Sequence, residues 1–474
     1  MGREPFRGVV PAYLRLMRDD PRDARDRLDA GDRHDAGDRI GARDARDASD
    51  ARDAHDARDS HDVRGPRLPT SPGFWRSPLR GPGFTSVLGL VLLVGITVLF
   101  VTGLLSYAAY NPDLSPVNDK TPDKGLLGFY LFAWPTDPHW LYRFTQGVHV
   151  TLGITLIPVL LAKLWSVVPR LFTLPPARSL AHALERISLL LLVGGALFEF
   201  VTGVLNVQLD YVFPGSFYRL HFYGAWVFFA AFLAHAVLKT PAALRNLRGL
   251  RGAPEEKNDL VSPRPAEPTV SRRGALWFVG GGSLLLFATT VGQTLGGPLR
   301  RTALLAPHGG GEPGTGPNGF QINKTAAYAG ITAADRDEEA WRLVVTGRTG
   351  TVRLSRAQLL QLPLHSSALP IACVEGWSTA DQWWRGVRLR DLAALVGHEE
   401  DPPDVFVESL QRHGSFRRAA LRANQVADPR SLLALFVNGE PLSPDHGHPA
   451  RIIVPAAPGV LNTKWVARMT FGDL

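Results

Sequence analysis

The sequence predicts a multi-domain protein: an all-α transmembrane bundle of four helices, one further transmembrane helix, and then an α+β, β-rich domain. Three observations predict it. Five apolar runs, each near the ~20 residues a helix needs to cross a bilayer, lie between residues 86 and 297. From about residue 304 the long runs give way to short β-like ones such as "WRLVVTG" and "LLALFVNG". The mean hydropathy is near zero only because apolar and polar segments cancel.

The elements follow in chain order. Residues 1–82 carry, from about Asp19 to Asp62, a degenerate Asp-Ala-Arg repeat that has almost no large apolar residue. With no face to bury, it reads as a disordered cytoplasmic tail. His34, His55 and His61 lie in this tail, where a metal-binding role is improbable. The four-helix part spans residues 83–245, with apolar runs starting at Ser86, Gly147, Arg186 and Leu220. Pro158 inside the second run is tolerable in a membrane helix. Residues 246–271 are rich in proline and charge and read as a linker. The fifth helix occupies 272–297, and the β-rich domain 298–474.

Charge sets the orientation. Arg76 and Arg80 precede the first helix, Lys163 and Arg170 follow the second, and Lys239, Arg245 and Arg248 follow the fourth. The connection between the first two helices is mildly acidic, with Asp113, Asp119, Asp123 and Asp137. The N-terminus is therefore expected in the cytoplasm, and five crossings put the C-terminal domain outside the plasma membrane. The net charge of +8 belongs to this topology. The chain carries no zinc-ligand spacing and no basic stripe interleaved with aromatics, so nucleic acid is not an expected partner.

Titratable residues within membrane helices are usually functional. His221 and His235 stand fourteen residues apart on the fourth helix. They are thus about 21 Å apart along the axis and within about 40° of one face. Two stacked b-type haems demand that spacing, since each needs an axial imidazole at its own depth. His149, near the outer start of the second helix, matches the depth of His221. His182, at the inner start of the third, is the expected partner of His235. Lys163 occupies the position fourteen after His149, and His139 is a spare candidate. The other reading is that these histidines cap helices or line a polar seam. The four helices resemble bacterial membrane cytochrome b subunits of respiratory oxidoreductases over residues 83–239. That resemblance implies haem b, two copies on this reading, and a quinone or another redox carrier as partner.

Ser271-Arg272-Arg273 before the fifth helix resembles a twin-arginine signal, here internal. It would imply the twin-arginine export machinery and a domain folded around its cofactor before crossing. The alternative is an ordinary positive flank.

Cys373 is the one cysteine in the chain. It cannot form an internal disulfide, so it is either an inert buried thiol or a thiolate with chemistry to do. It lies in "IACVEGWS" (371–378), followed by "GVRLRDLAALVG" (386–397), "PDHGHPARIIVP" (444–455) and "GVLNTKWV" (459–466). These four segments, in this order, resemble the sulfite-oxidase-fold molybdenum enzymes, with a particular likeness to the catalytic subunit of periplasmic protein-methionine-sulfoxide reductase. The resemblance implies a molybdenum-molybdopterin cofactor with Cys373 as the thiolate ligand, and a soft sulfur suits that metal. It also implies pterin-binding places at Asn318, Ser409, His446, Arg451, Asn462, Thr463 and Lys464. Arg451 offers a bidentate grip on phosphate and Lys464 a point charge; the plain alternative for both is surface salt bridging. His446 stands where that family often has asparagine.

The function expected is two-electron oxygen-atom transfer on a small or protein-bound oxidised substrate outside the membrane, with S-oxide or N-oxide reduction favoured and electrons relayed through haem. Sulfite-type oxidation is the alternative. A purely electron-transferring or sensory membrane protein that binds no metal is the contrasting class.

Overall fold

This computed structural model describes residues 68–114, 132–174, 179–207, 217–248, 258–307, 314–412 and 417–474. Most of the expected N-terminal tail, with His34, His55 and His61, lies outside the described residues.

Five helices among the described residues are long and apolar enough to cross a membrane. They are α1 (Pro82–Ala109), α2 (Leu141–Val167), α3 (Leu180–Asn206), α4 (Tyr218–Leu247) and α5 (Arg272–Ala288). Each starts two to six residues ahead of its apolar run, because polar residues are tolerated in a first turn whose N–H groups face outward. Ser179 and Ser271 cap α3 and α5, their hydroxyls accepting from the His182 and Gly274 amides. Proline is present inside α2 and α4, and both helices run through it.

α1 packs on α2, α3 on α4, and α5 lies against α2. Leu88, Leu92, Ile96, Leu156, Leu160, Phe228 and Phe232 fill the seam, while Val94, Leu190, Val237 and Phe278 on the outer faces are exposed. Seam and outer faces alike are apolar, which agrees with helices apolar enough to cross a membrane.

The expected linker is more than a tether. Its second part, from Asn258, returns along the segment before α1. Trp75 and Val261 form a parallel bridge, and the Ser262 amide donates to the Trp75 carbonyl at 3.0 Å. These contacts tie the start of α1 to the start of α5.

The C-terminal domain has two five-stranded sheets. The first orders β2 (Gly350–Ser355), β1 (Arg342–Gly347), β10 (Val466–Phe471), β5 (Val405–Ser409) and β6 (Arg418–Leu421). The second orders β3 (His365–Leu369), β4 (Gln382–Arg388), β7 (Leu432–Val437) and β8 (Glu440–Pro441), with β9 (Arg451–Ile453) pairing the first half of β7 on the same edge as β8. The β7–β8 hairpin turns at Asn438-Gly439, both at positive φ (50° and 92°), the turn this pair of residues favours. Leu343, Val345, Val387, Leu392, Val407, Leu433, Ile452 and Met469 join one buried core.

The helices and this domain belong to one unit, Arg67–Leu474. The domain sits on the end of the bundle where α1 stops and α2 begins. Asn111 donates to the Ala420 carbonyl at 3.2 Å and to Gln425 Oε1 at 2.9 Å. Asp113 pairs with Arg422, and Asp137 with Arg430 at 2.7 Å. Trp134 Nε1 donates to the Ala456 carbonyl at 2.7 Å. The acidic connection thus meets arginines of the domain.

Candidate functional site

The Cys373 loop lies between β3 and β4 and is held from both directions. The Cys373 amide donates to the Trp377 carbonyl at 2.9 Å, which closes a tight loop around Glu375. Cys373 is 4% exposed, within a cluster of Phe320, Ile371, Trp377, Trp384 and Ile453. Its Sγ lies 3.4 Å from Glu375 Oε2 and 3.8 Å from Asn323 Nδ2. Burial, and then the Glu375 carboxylate, push the thiol well above its usual range. A bound metal cation would offset both effects and hold the thiolate, releasing its proton.

Helix α2 and the short helical turn Gly292–Leu295 close this loop from the other side. Gln146 of α2 donates its amide to the Val374 carbonyl. Thr294 Oγ1 donates to the Gly376 carbonyl at 2.7 Å, and the Ser378 amide to the Gln293 carbonyl at 2.9 Å. Tyr110 and Tyr142 share a buried cluster with Ala372 and Val374. Gly376 has φ +88°, and a Cβ there would lie 2.7 Å from Val150 Cβ. Gly376→Ala should therefore combine left-handed strain with overpacking against a branched side chain on a helix. It is expected to destabilise the chain by about 2–4 kcal/mol, visible as a lowered thermal midpoint and faster proteolysis at the interface. A midpoint equal to wild type would show that the contact is not close.

The predicted pterin residues come together around the ends of β9 and β10. Arg451 is 3% exposed and lies over the Trp384 ring, its carbon 5.2 Å from the centroid. Its Nη1 and Nη2 donate to the His446 and Asn462 carbonyls at 3.1 and 3.2 Å. Lys464 donates to the Lys324 and Asp445 carbonyls at 2.5 and 2.8 Å. Burial lowers the pKa of both cations, that of Arg451 to about 9. Arg451 Nε, Asn462 Nδ2 and Thr463 Oγ1 are buried with no hydrogen-bond partner among the described residues. Buried cations and unused hydrogen-bonding groups of this kind suit an anionic, polar ligand, so the residues present fit a pterin phosphate.

Asn318 and Ser409 work as braces. Asn318 Oδ1 accepts from the Ser443 amide at 3.0 Å and its Nδ2 donates to the Pro441 carbonyl at 3.1 Å. Ser409 Oγ donates to the Lys464 carbonyl at 2.8 Å. Their geometry holds the His446 and Lys464 segments in place.

His446 stacks on Phe320 at 3.8 Å, and its Nε2–H donates to the Asn318 carbonyl at 2.8 Å. Burial, and then Arg451, lower its pKa to about 3. The native ring stays neutral while the unfolded chain takes up a proton below about pH 6.5. Stability should therefore fall as pH drops from about 6.5 towards 3, by about 1.4 kcal/mol per pH unit for that proton. His446→Asn should remove this one-proton contribution. Identical pH slopes for the two proteins in thermal unfolding would contradict it.

A second constellation lies within the bundle. The rings of His149 on α2 and His221 on α4 are perpendicular, with centres 6.2 Å apart. His149 Nδ1 donates to the Leu99 carbonyl at 3.0 Å and lies 3.0 Å from Thr102 Oγ1. His221 Nδ1 lies 3.0 Å from Thr202 Oγ1 and 3.2 Å from Glu199 Oε2. With Nδ1 engaged, Nε2 of each ring is the nitrogen left for a metal, the usual arrangement around a metal-bound imidazole. Gly103 and Gly203 let α1 and α3 pass close by: a Cβ there would lie 3.2 and 3.3 Å from the two Cε1 atoms. These residues fit an axial histidine pair. His235, on α4, lies within electrostatic reach of Lys163. His182 is in the first turn of α3. His139 is engaged elsewhere, its Nε2 3.3 Å from Asp381.

Sequence reasoning passed over Asn323, Glu375, Gln146, Tyr110 and Tyr142 around Cys373. Glu375 was open to view inside the quoted motif; the others reach the loop through the tertiary fold. It also passed over Thr102-Gly103 and Thr202-Gly203. Their signal was legible: "FVTG" occurs at residue 100 and again at residue 200.

A buried cysteine on the same domain as two desolvated cations and several unpartnered polar groups suits a molybdenum-dependent oxidoreductase domain. The description "Oxidoreductase molybdopterin binding domain" matches residues 329–473. "Uncharacterized oxidoreductase YuiH" of Bacillus subtilis (strain 168) is 32% identical over 154 residues, covering 31% of this chain and 76% of that one. The chain belongs to this molybdopterin-binding oxidoreductase family, and its C-terminal domain is of the sulfite-oxidase type. Mitochondrial sulfite oxidase of Rattus norvegicus is 31% identical over 160 residues, 28% of this chain and 29% of the rat protein's length. Among solved structures, the sulfane dehydrogenase SoxCD from Paracoccus pantotrophus overlaps 30% of this chain and 40% of its own, with 23% identity and a TM-score of 0.27.

Proposed function

We propose that the chain is a membrane-anchored molybdoenzyme carrying its own haem relay, and that it reduces S-oxides or N-oxides outside the cytoplasm. One observation carries the reading. The loop bearing Cys373 is seated on the helix bearing His149: Gln146 and Val150, within a turn of the histidine, touch Val374 and Gly376, which flank the cysteine. Two redox centres held in this way exchange electrons within one chain, with no diffusion step.

The metal, when bound, supplies two-electron oxygen-atom chemistry. The chain's own residues do the rest. Cys373 is the thiolate ligand; Arg451 and Lys464, with Asn462 and Thr463, hold the anionic pterin; Asn318, Ser409 and His446 brace them. His149 and His221 hold haem b. A quinone-type carrier in the lipid membrane is the electron partner. The distribution of arginine and lysine supports a plasma-membrane protein with a cytoplasmic N-terminus, and the twin-arginine machinery would export the loaded domain. The resemblance of the cysteine motif "IACVEGWS" to that of the reductase supports the reductase direction. The likeness to mitochondrial sulfite oxidase favours a second reading, oxidation of a sulfite-like anion that delivers electrons to the membrane.

The test is metal analysis of the purified full chain, followed by assays with reduced dye against a panel of S- and N-oxides and then with sulfite and an acceptor. One molybdenum per chain with dye-driven reduction supports the proposal. Turnover with sulfite alone would reverse the direction. A folded protein without molybdenum, expressed where the cofactor is made, would sink the enzyme reading.

A further inference from the structure

The two hairpins of the bundle repeat one another, and the repeat breaks at its inner level. Thr102-Gly103 on α1 serves His149 on α2 just as Thr202-Gly203 on α3 serves His221 on α4. Fourteen residues further along α2 is Lys163, and fourteen further along α4 is His235. Fourteen residues back along the antiparallel α1 from Gly103 is Gly89. A Cβ on Gly89 would lie 3.1 Å from Lys163 Nζ. Lys163 therefore sits on Gly89 as His149 sits on Gly103. The inner level exists, but its α2 position holds an amine, which donates to the Thr85 carbonyl at 2.8 Å. Fourteen residues back along α3 from Gly203 is Leu189, so the second glycine is missing too and a branched apolar side chain takes its place.

His182 does not supply the missing imidazole. Thr202 and His221 touch, so they share a depth. His182 is twenty residues from Thr202, whereas His235 is fourteen from His221. At ~1.5 Å per residue, His182 lies about 9 Å beyond the level of His235. At the outer level the ring centres are 6.2 Å apart, a spacing that admits one metal with two bonds of about 2 Å. An axial offset of about 9 Å does not.

We propose that this chain holds one haem, between His149 and His221, and that Lys163 and Leu189 stand where a second haem would need an imidazole and a glycine. This rests on the haem reading of the outer pair. The test is the ratio of haem to chain in the detergent-purified full-length protein, from pyridine haemochrome absorbance. One haem is expected in the wild type, kept in His182→Ala and His235→Ala and lost in His149→Ala and His221→Ala. Lys163→His combined with Leu189→Gly should raise the ratio towards two. Two haems in the wild type, with one lost in both His182→Ala and His235→Ala, would overturn the proposal. A folded double variant that stays at one haem would overturn the role given to Lys163 and Leu189. No haem in a folded wild type would instead fell the reading of the outer pair, a result distinct from finding two.

Discussion

Cys373→Ser loses turnover by more than about 100-fold while the domain stays folded. Changes to groups that only support a metal ligand commonly cost about 10- to 100-fold, and this substitution changes the ligand itself. Oxygen is a harder donor than sulfur and alters the metal's electronics. The fold tolerates the exchange because the serine hydroxyl is smaller than the thiol and keeps an acceptor, Glu375 Oε2, 3.4 Å from the present Sγ. Arg451, Lys464 and the groups around them are untouched, so the pterin should be largely retained. The measurements are turnover with reduced dye, molybdenum and pterin content, and circular dichroism. A folded variant turning over at the wild-type rate would remove Cys373 from the metal.

Replacing either outer histidine separates two activities that are coupled in the wild type. In His149→Ala and His221→Ala, b-type absorbance should vanish and turnover driven by a membrane donor should fall to background. Turnover driven by a soluble dye acting directly on the C-terminal domain should persist, because the Cys373 loop is held by Gln146, Thr294 and Gln293 and not by the imidazoles. Loss of both activities together would point to an undocked or misfolded domain. Undiminished donor-driven turnover in either variant would mean that electrons reach the molybdenum by another route.

Much of the site was legible in the sequence because it lies in short contiguous strings. Cys373 is unique, and the segment from Pro444 to Val466 carries Arg451 and Lys464 within one stretch. Strands β1, β2, β5, β9 and β10 were legible as short runs with β-branched residues, and β7 as a short leucine-rich apolar run before the Asn438-Gly439 turn. β3 ("HSSAL") and β4 ("QWWRGVR") were not. The first is small and polar, and the second has a glycine and two arginines among its seven residues, so pairing rather than propensity makes them strands. Residues 258–266 looked like a linker because proline and charge dominate there, yet backbone bonds to Gly73, Trp75 and Arg76 order them.

The sequence by itself determined which segments are apolar enough to span a membrane, which residue is the thiol, and which histidines share a helix face. Each of these depends on neighbours along one chain segment. Only the tertiary structure decided which histidine meets which, that Lys163 sits against Gly89, and that the Cys373 loop rests on α2. Those facts depend on the relative depth and close approach of segments far apart in sequence. Close approach is set where Gly89, Gly103, Gly203 and Gly376 leave no side chain in the way. A glycine written in a sequence does not say which neighbour it admits; the packed helices do.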